Sequence, residues 1–133
     1  MKKYRKIYIE ITNKCNLNCS FCPKTKRPGR AMSAEEFAAV ANAVRDRGVN
    51  YYLHLMGEPT SHPEFEKILK ICSENKMSVN ITTNGTLLDK TGDTMLENNV
   101  RMVSVSMHSF EANSLNKDMA AYLGKITDFC KKA

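Results

Sequence analysis

Apolar and polar residues alternate with a period of two in four short segments of this chain, which has 133 residues. The segments are rich in β-branched and aromatic residues, and they cover residues 7–12, 50–56, 77–83 and 101–107. This alternation predicts β-strands that each have one apolar and one polar face. We expect helices to cover the apolar faces, and four polar faces together indicate a lumen that accepts a polar ligand.

Successive side chains of a strand point to opposite faces, so the pattern assigns individual residues to each face. The predicted apolar face contains Ile7, Ile9, Ile11, Tyr51, Leu53, Leu55, Val79, Ile81, Thr83, Val103, Val105 and Met107. The predicted lumen face contains Tyr8, Glu10, Thr12, Tyr52, His54, Met56, Glu58, Asn80, Thr82, Asn84, Ser104, Ser106 and His108. The sequence assigns no acid–base role to His54, His108 or Glu10.

Helical patterns separate the predicted strands. The first helix is expected to begin at Ser33, which forms a capping box with Glu36, and to end near Gly48 as a left-handed residue. The second is expected to begin at Pro63, a favourable first helical residue. Its apolar stripe consists of Ile68, Leu69, Ile71 and Cys72.

Two further helices are predicted at residues 89–98, where Gly92 is an early interruption, and at residues 115–131. Four strand-helix units in series indicate parallel strands joined by crossover helices, in an α/β barrel or an open α/β sheet. The apolar positions of the last helix are Leu115, Met119, Tyr122, Leu123, Ile126, Phe129 and Cys130.

Length and composition support one domain, residues 1–133, with a single core, since 42% of the residues are hydrophobic. The net charge of +6 is concentrated in residues 2–6 and 24–30. Such patches attract nucleic acid or acidic peptides, but no aromatic platform accompanies them, so a nucleic-acid partner is not predicted. No apolar run reaches the roughly 20 residues of a membrane span, and no signal-peptide core is present, which predicts a cytoplasmic protein.

Three cysteines, Cys15, Cys19 and Cys22, have the spacing CxxxCxxC. Three clustered thiolates predict a metal centre. On a 4Fe-4S cluster, three cysteine ligands leave one iron open to a ligand that is not protein. A structural zinc ion would need a fourth protein ligand, and the next histidine, His54, lies far downstream in a predicted strand. The iron–sulfur hypothesis is therefore preferred over zinc and over unligated thiols.

The other two cysteines, Cys72 and Cys130, lie in helical patterns. We expect them to be small buried or half-buried residues without chemistry. Disulfides are not predicted, because five cysteines is an odd number and nothing else in the chain indicates secretion.

The segment that contains Cys15, Cys19 and Cys22 is called the cysteine loop below. It resembles the signature of the radical S-adenosylmethionine (SAM) enzymes, CxxxCxΦC, in which Φ is aromatic and corresponds to Phe21. The resemblance implies that the three cysteines bind three irons of a 4Fe-4S cluster, that SAM chelates the fourth, and that Phe21 packs beside the adenine or the cluster. It also implies reductive cleavage of SAM to a 5′-deoxyadenosyl radical, hydrogen abstraction from a substrate, and a reductant such as flavodoxin or ferredoxin.

A second segment, Met56-Gly57-Glu58-Pro59, resembles the Gly-Gly-Glu-Pro motif of the same family, with Met56 at the first glycine position. The resemblance implies that this segment, through Met56, Gly57, Glu58 and Pro59, receives the amino group of SAM on backbone carbonyls and the glutamate. The positions that correspond to family contacts with the SAM carboxylate or ribose are Asn84, Ser104 and Ser106.

Members of the family usually have six strand-helix units, whereas this sequence supplies four. We therefore expect a partial (β/α) barrel, either the N-terminal portion of a longer enzyme or a truncated homologue completed as a homodimer. A non-catalytic iron–sulfur half-barrel or assembly module is the alternative to an enzyme. The motif context is similar to the branch with extra C-terminal cluster domains that modifies peptides or proteins, while glycyl-radical activases and nucleic-acid-modifying members stay open.

Overall fold

The computed structural model describes residues 2–113 and 118–133. The strands of the described ranges form one parallel sheet in sequential order, and no strand is inserted between its neighbours in the chain. The sheet therefore has the topology expected of repeated strand-helix units. The strands are β1 (Tyr4–Tyr8), β2 (Gly48–Tyr52), β3 (Val79–Thr83) and β4 (Met102–Val105).

Helices connect the strands and follow the last of them. The prediction of four alternating strand-helix units is confirmed, and the architecture is an α/β partial barrel. One short helix, which follows β4, was not predicted. The helices are α1 (Ala34–Val44), α2 (Phe65–Glu74), α3 (Leu88–Glu97), α4 (His108–Glu111) and α5 (Met119–Lys132).

Helix α1 begins where the sequence predicts. The Ser33 hydroxyl accepts a hydrogen bond from the Glu36 backbone N–H, and the Glu36 carboxylate accepts one from the Ser33 N–H, so both halves of the capping box are formed. The predicted end was wrong. Helix α1 ends at Val44, and Gly48 is the first residue of β2, where a Cβ would lie 2.9 Å from the Ile7 side chain. The Tyr51 ring lies equally near, at 2.9 Å, so the absence of a side chain at Gly48 leaves room for the Ile7 and Tyr51 side chains.

Helix α2 begins at Phe65, two residues after the predicted start at Pro63. The intervening turn is held by His62, whose Nδ1 accepts a hydrogen bond from the Glu64 N–H at 2.9 Å and whose carbonyl accepts one from the Phe65 N–H at 3.1 Å. The apolar stripe is confirmed. Ile68, Leu69 and Cys72 are buried, and Ile71 is partly buried.

Helix α3 lies within one residue of its predicted bounds and continues through Gly92 without interruption. Gly92 is buried against α5, where an added Cβ would lie 2.7 Å from the Phe129 ring. The described part of α5 begins at Met119, after Asp118 at the N-cap, and the predicted start at Leu115 lies outside the described residues. Gly92 therefore permits close approach of the two helices.

The hydrogen-bonded strands are shorter than the alternating segments. Strand β1 ends at Tyr8, although the chain beyond it stays close to β2 through a hydrogen bond from Ile9 N–H to Tyr52 O at 2.8 Å. The alternation of apolar and polar residues indicates which side chains are buried, and it continues past the last hydrogen-bonded residue of each strand into the loop that follows. Face assignment fails at these ends: Leu55 is 66% exposed and Met107 is 48% exposed, contrary to the prediction.

The core lies between the sheet and the helices. Burial of these apolar side chains is the main stabilising contribution to the fold. Cys72 is buried as predicted, and burial raises the pKa of its thiol to about 12. Cys130 is exposed, contrary to the prediction. The buried core comprises Ile9, Ile11, Phe37, Ala41, Tyr51, Leu53, Phe65, Ile68, Leu69, Cys72, Met77, Val79, Ile81, Leu88, Met95 and Phe129.

Among the described helices, none is both long enough and apolar enough to cross a membrane.

Candidate functional site

The carboxyl ends of the strands and the cysteine loop surround one pocket of about 500 Å³. Its volume lies within the range usual for small-molecule sites. In a parallel sheet, the loops that follow the carboxyl ends of the strands all lie at the same end of the sheet, which is why segments distant in sequence meet here. The pocket is lined by Asn13, Cys15, Leu17, Asn18, Cys19, Phe21, Cys22, Pro23, Lys24, Thr25, His54, Leu55, Met56, Gly57, Glu58, Thr82, Thr83, Asn84, Ser106 and Ser109.

The structure brings together most of the residues that the sequence singled out. Two of the predicted cofactor contacts are not on the pocket wall. Pro59 is buried behind Glu58 in a short 3-10 turn, and Ser104 is exposed on β4. The predicted residues that line the pocket are Cys15, Cys19, Cys22, Phe21, Met56, Gly57, Glu58, Asn84 and Ser106.

The cysteine loop is closed at its base by Asn13. The Asn13 side-chain amide donates to Pro28 O at 2.9 Å, and its oxygen accepts from the Arg30 N–H at 2.7 Å. A bridge between Thr12 and Ala31 continues this closure toward the sheet. The two ends of the loop are therefore fixed side by side.

The three cysteines differ in exposure. Cys19 is buried, Cys22 is half-buried and Cys15 is exposed. Partial desolvation of its sulfur raises the pKa of the Cys15 thiol, and the Glu58 carboxylate adds to this rise. The Leu17 backbone N–H, 3.5 Å from the Cys15 sulfur, opposes it. All three sulfur-bearing residues face the same pocket.

Glu58 joins three segments through its carboxylate and backbone. Oε1 accepts hydrogen bonds from the Thr60 and Thr83 hydroxyls, each at 2.6 Å, and Oε2 accepts one from the Asn84 N–H at 2.7 Å. The Glu58 N–H donates to Lys14 O at 2.9 Å. The side chain is only 3% exposed, so this buried carboxylate is satisfied by neutral donors. It ties the ends of β2 and β3 to the cysteine loop.

Gly57 lies in close contact with the backbone at the start of the cysteine loop. Its φ is +85°, and a Cβ would lie 2.5 Å from Thr12 O and 2.7 Å from Lys14 O. Met56 does not share this backbone conformation, since the left-handed residues other than glycine in the described ranges are Lys24, Lys76 and Asn99. A methionine at position 56 therefore places no Cβ in the left-handed backbone region.

The turn after β3 holds the cysteine loop through side-chain amides. The Asn84 amide donates to Asn16 Oδ1 at 2.9 Å, and the Asn16 amide donates to the Thr86 hydroxyl at 2.9 Å. Helix α5 supports this turn from behind, where the Tyr122 hydroxyl donates to Asn84 O at 2.6 Å. Asn84 thus reaches both the pocket and the packed interior.

Two groups of aromatic rings lie on the pocket side of the sheet in the described part of the chain. The Phe21 ring lies 4.5 Å from the His108 ring. His108 is the first residue of α4, whereas the sequence predicted that it would continue the polar face of the fourth strand. His54 packs edge-on against Tyr8 and Tyr52, whose rings are stacked. Burial lowers the pKa of His54, which favours its neutral form.

Glu10 links the far side of the cysteine loop to the end of β2. Its carboxylate lies 2.8 Å from an Arg27 nitrogen and accepts a hydrogen bond from the Met56 N–H at 2.9 Å. Hydrogen bonding to Arg27 lowers the pKa of Glu10. Arg30 is likewise paired with Glu36 at 2.6 Å, so part of the basic segment 24–30 is neutralised within the chain.

Sequence reasoning missed several residues of the site. Thr60 was not singled out, and Thr83 was assigned to the apolar face, although its hydroxyl binds Glu58. The Thr83 hydroxyl was the available signal, since a polar atom on an apolar face needs a partner. Asn113, whose side-chain amide donates a hydrogen bond to the Cys19 sulfur, follows the unpredicted α4, and no signal in the sequence pointed to it.

The sequence profile of the Radical SAM superfamily matches residues 9–133. The chain belongs to this superfamily. Its relatives include radical SAM enzymes: the probable GTP 3′,8-cyclase of Archaeoglobus fulgidus is 33% identical over 106 residues, which cover 78% of this chain and 36% of the cyclase. The GTP 3′,8-cyclase of Synechocystis is 27% identical over 121 residues, covering 87% and 37%. The chain thus spans little more than a third of the length of these two radical SAM relatives.

Two solved radical SAM structures share the fold. BtrN in complex with AdoMet and 2-DOIA superposes with a TM-score of 0.69 at 20% identity, covering 91% of this chain and 51% of BtrN. Streptococcus suis SuiB bound to S-adenosylmethionine superposes with a TM-score of 0.67 at 22% identity, covering 98% of this chain and 39% of SuiB. These superpositions confirm the predicted partial barrel.

Radical SAM proteins use a 4Fe-4S cluster and SAM. In residues 2–113 and 118–133, no three or more His, Cys, Asp or Glu side chains are arranged to hold one metal ion. The thiolates of a cluster each bind a different iron, so they need not converge on one point. Three cysteines that line one pocket fit such a cluster, and Cys15, Cys19 and Cys22 do so.

Proposed function

We propose that this chain is the catalytic core of a radical SAM enzyme, with Cys15, Cys19 and Cys22 as ligands of the cluster. One observation carries the proposal: the three cysteines and the ends of β2, β3 and β4 line a single pocket. When bound there, the cluster and SAM supply a 5′-deoxyadenosyl radical that takes a hydrogen atom from a substrate C–H bond.

The chain itself supplies binding and orientation. The Met56–Glu58 segment offers backbone carbonyls for the SAM amino group, and its position is fixed by the hydrogen bonds of Glu58 to Thr83 and Asn84. Asn84 and Ser106 supply polar groups for the carboxylate or ribose of SAM, and Phe21 supplies an apolar surface. An electron must come from outside the chain, and we assign this to a cytoplasmic flavodoxin or ferredoxin.

The proposed ligation is tested by anaerobic reconstitution with iron and sulfide, followed by low-temperature EPR of the reduced protein with and without SAM. We expect a 4Fe-4S signal that changes when SAM is added, and its loss in Cys19→Ser. Cys130→Ser is the matched control, since this cysteine is exposed on α5 and does not line the pocket. Stoichiometric zinc without a cluster would contradict the proposal, as would a cluster signal that ignores SAM.

We propose an acidic peptide or protein segment as the substrate. Lys24 lines the pocket and Lys26 is exposed, and neither is in an ion pair among the described residues. A fold neighbour, SuiB, has been solved bound to its precursor peptide SuiA. The sequence relatives instead favour GTP, because they are GTP 3′,8-cyclases.

The two substrate classes are distinguished by 5′-deoxyadenosine release, measured by mass spectrometry with candidate acidic peptides and, separately, with GTP. Stimulation by a peptide that weakens in Lys24→Glu supports the peptide assignment. Stimulation by GTP alone would overturn it and leave the radical SAM assignment intact.

A further inference from the structure

Asn113 lies behind the cysteine loop, outside the pocket lining. Its side-chain oxygen accepts a hydrogen bond from the Asn18 N–H at 2.8 Å, and its amide nitrogen donates to Ser109 O at 2.9 Å and to Cys19 Sγ at 3.2 Å. Asn113 is 6% exposed and Cys19 is 8% exposed. A buried amide is thus hydrogen-bonded directly to a sulfur of the CxxxCxxC motif.

The orientation of this amide follows from its partners. Ser109 O is an acceptor, so it requires the NH2 group, whereas the Asn18 N–H is a donor and requires the oxygen. A flipped amide would place its oxygen against Ser109 O and its NH2 group against the Asn18 N–H. The two amide hydrogens are therefore directed at Ser109 O and Cys19 Sγ.

Helix α4 holds Asn113 in this place. The Asn113 N–H donates to Phe110 O at 3.3 Å, and the preceding carbonyl, Ala112 O, accepts from the Ser20 N–H at 3.2 Å. Bonds to the backbone of Asn18 and Ser20 thus flank Cys19 on both sides. The donor is fixed relative to the sulfur before any ligand binds, so little reorganisation accompanies a change of charge there.

We propose that Asn113 is a positioning residue that sets the reduction potential of the 4Fe-4S cluster through an N–H···S hydrogen bond to Cys19. The inference rests on the proposed ligation of the cluster by Cys19. Hydrogen bonds to cluster sulfurs are one of the factors that set such potentials. A donor to a ligand sulfur stabilises the more negative, reduced state more than the oxidised state, and burial keeps water from screening the difference.

A hydrogen bond to a charged group contributes more than one between neutral groups. We expect its removal to lower the equilibrium ratio of reduced to oxidised cluster roughly tenfold at a fixed potential, which is about 59 mV for a one-electron couple. The potential would shift to more negative values. A lower potential makes the cluster harder to reduce, so more of it stays oxidised with a given reductant.

The test is an EPR-monitored redox titration of the anaerobically reconstituted protein and of Asn113→Leu, which removes the donor with similar volume and no added charge. Asn16→Leu is the control. Asn16 also holds the cysteine loop through its side-chain amide, to Asn84 and Thr86, and none of its hydrogen bonds is to a sulfur. We expect a negative shift in Asn113→Leu, together with a wild-type potential in Asn16→Leu. Equal potentials in all three proteins, or equal shifts in both variants, would overturn the inference.

A second measurement does not depend on the folding of Asn113→Leu. Wild-type protein is labelled with 15N at the asparagine side-chain amides, and pulsed EPR of the reduced cluster detects a 15N coupling that persists in Asn16→Leu. Absence of this coupling in a protein that holds the cluster overturns the role of Asn113. Failure of the wild type to hold any cluster is a different result, since it contradicts the proposed function.

Discussion

Replacement of Gly57 by alanine tests whether the pocket depends on contact between the Met56–Glu58 segment and the cysteine loop. At φ +85°, a Cβ at this position would lie 2.5 Å from Thr12 O and 2.7 Å from Lys14 O, and both are backbone atoms. Neither carbonyl can rotate away as a side chain can. The segment therefore has to move off the loop.

The cost has three contributions. A left-handed backbone costs a residue with a Cβ about 1–2 kcal/mol, overpacking costs about 1–3 kcal/mol, and loss of the hydrogen bond from Glu58 N–H to Lys14 O costs about 1 kcal/mol. We expect Gly57→Ala to lower the free energy of unfolding by about 3–6 kcal/mol, a large share of the stability of an ordinary domain. Iron incorporation should fall with it.

Gly124→Ala is the matched control. Gly124 lies within α5, and a Cβ there meets nothing within 4 Å. The same substitution should raise the free energy of unfolding by about 0.5–1 kcal/mol, because alanine favours the helix. Urea denaturation of both variants measures the difference. Midpoints that move together, in the same direction and by similar amounts, would refute the proposed backbone contact.

Two further changes test the hydrogen bonds around the pocket. Thr83→Val keeps the side-chain shape but removes a hydroxyl donor to the buried Glu58 carboxylate, so urea denaturation should show a loss of about 1.5–3 kcal/mol, and an unchanged midpoint would contradict this. Glu10→Gln removes the ion pair with Arg27, which lowers the pKa of Glu10 in the folded protein. The stability that this pair contributes is present at neutral pH and is lost as the pH falls through the folded pKa, so the urea midpoint of the variant should fall less steeply below about pH 4.5. Identical slopes for the two proteins would argue against it.

The sequence predicted best those structural features that depend on residues close together in the chain. The capping box of α1 involves Ser33 and Glu36, three residues apart, and it is formed as predicted. Strand faces were also predictable for residues within the ladder, with the exception of Thr83, which lies at the end of β3 and lines the pocket. Side-chain direction was lost at Leu55 and Met107, because the chain there leaves the sheet and a period of two no longer applies. Gly48 was misassigned because a glycine that begins a strand looks the same in the sequence as one that ends a helix.

In the candidate site, too, the residues that form a local motif were predictable from the sequence, and the residues with partners distant in sequence were not. The cysteine motif lies within one loop, so spacing and residue type were sufficient to identify it. Thr83 and Asn113 act on residues that are 25 and 94 positions away in sequence, on Glu58 and Cys19 respectively. Such partners follow from the register of the sheet and from the docking of α4, neither of which periodicity determines. A single sequence therefore indicated the cofactor but not the residues that hold the cysteine motif in place.

The distance in sequence between Cys19 and Asn113 has a consequence for biosynthesis. The ribosome needs roughly 5–20 s to extend the chain by these 94 residues, and during that time the cysteine loop lacks its support from α4. The first strand-helix units can already form, because each strand pairs with the one made just before it. Nascent thiols are thus open to stray metals and oxidants before their pocket is complete. We expect productive delivery of the iron–sulfur cluster to occur after β4 and α4 have emerged and folded.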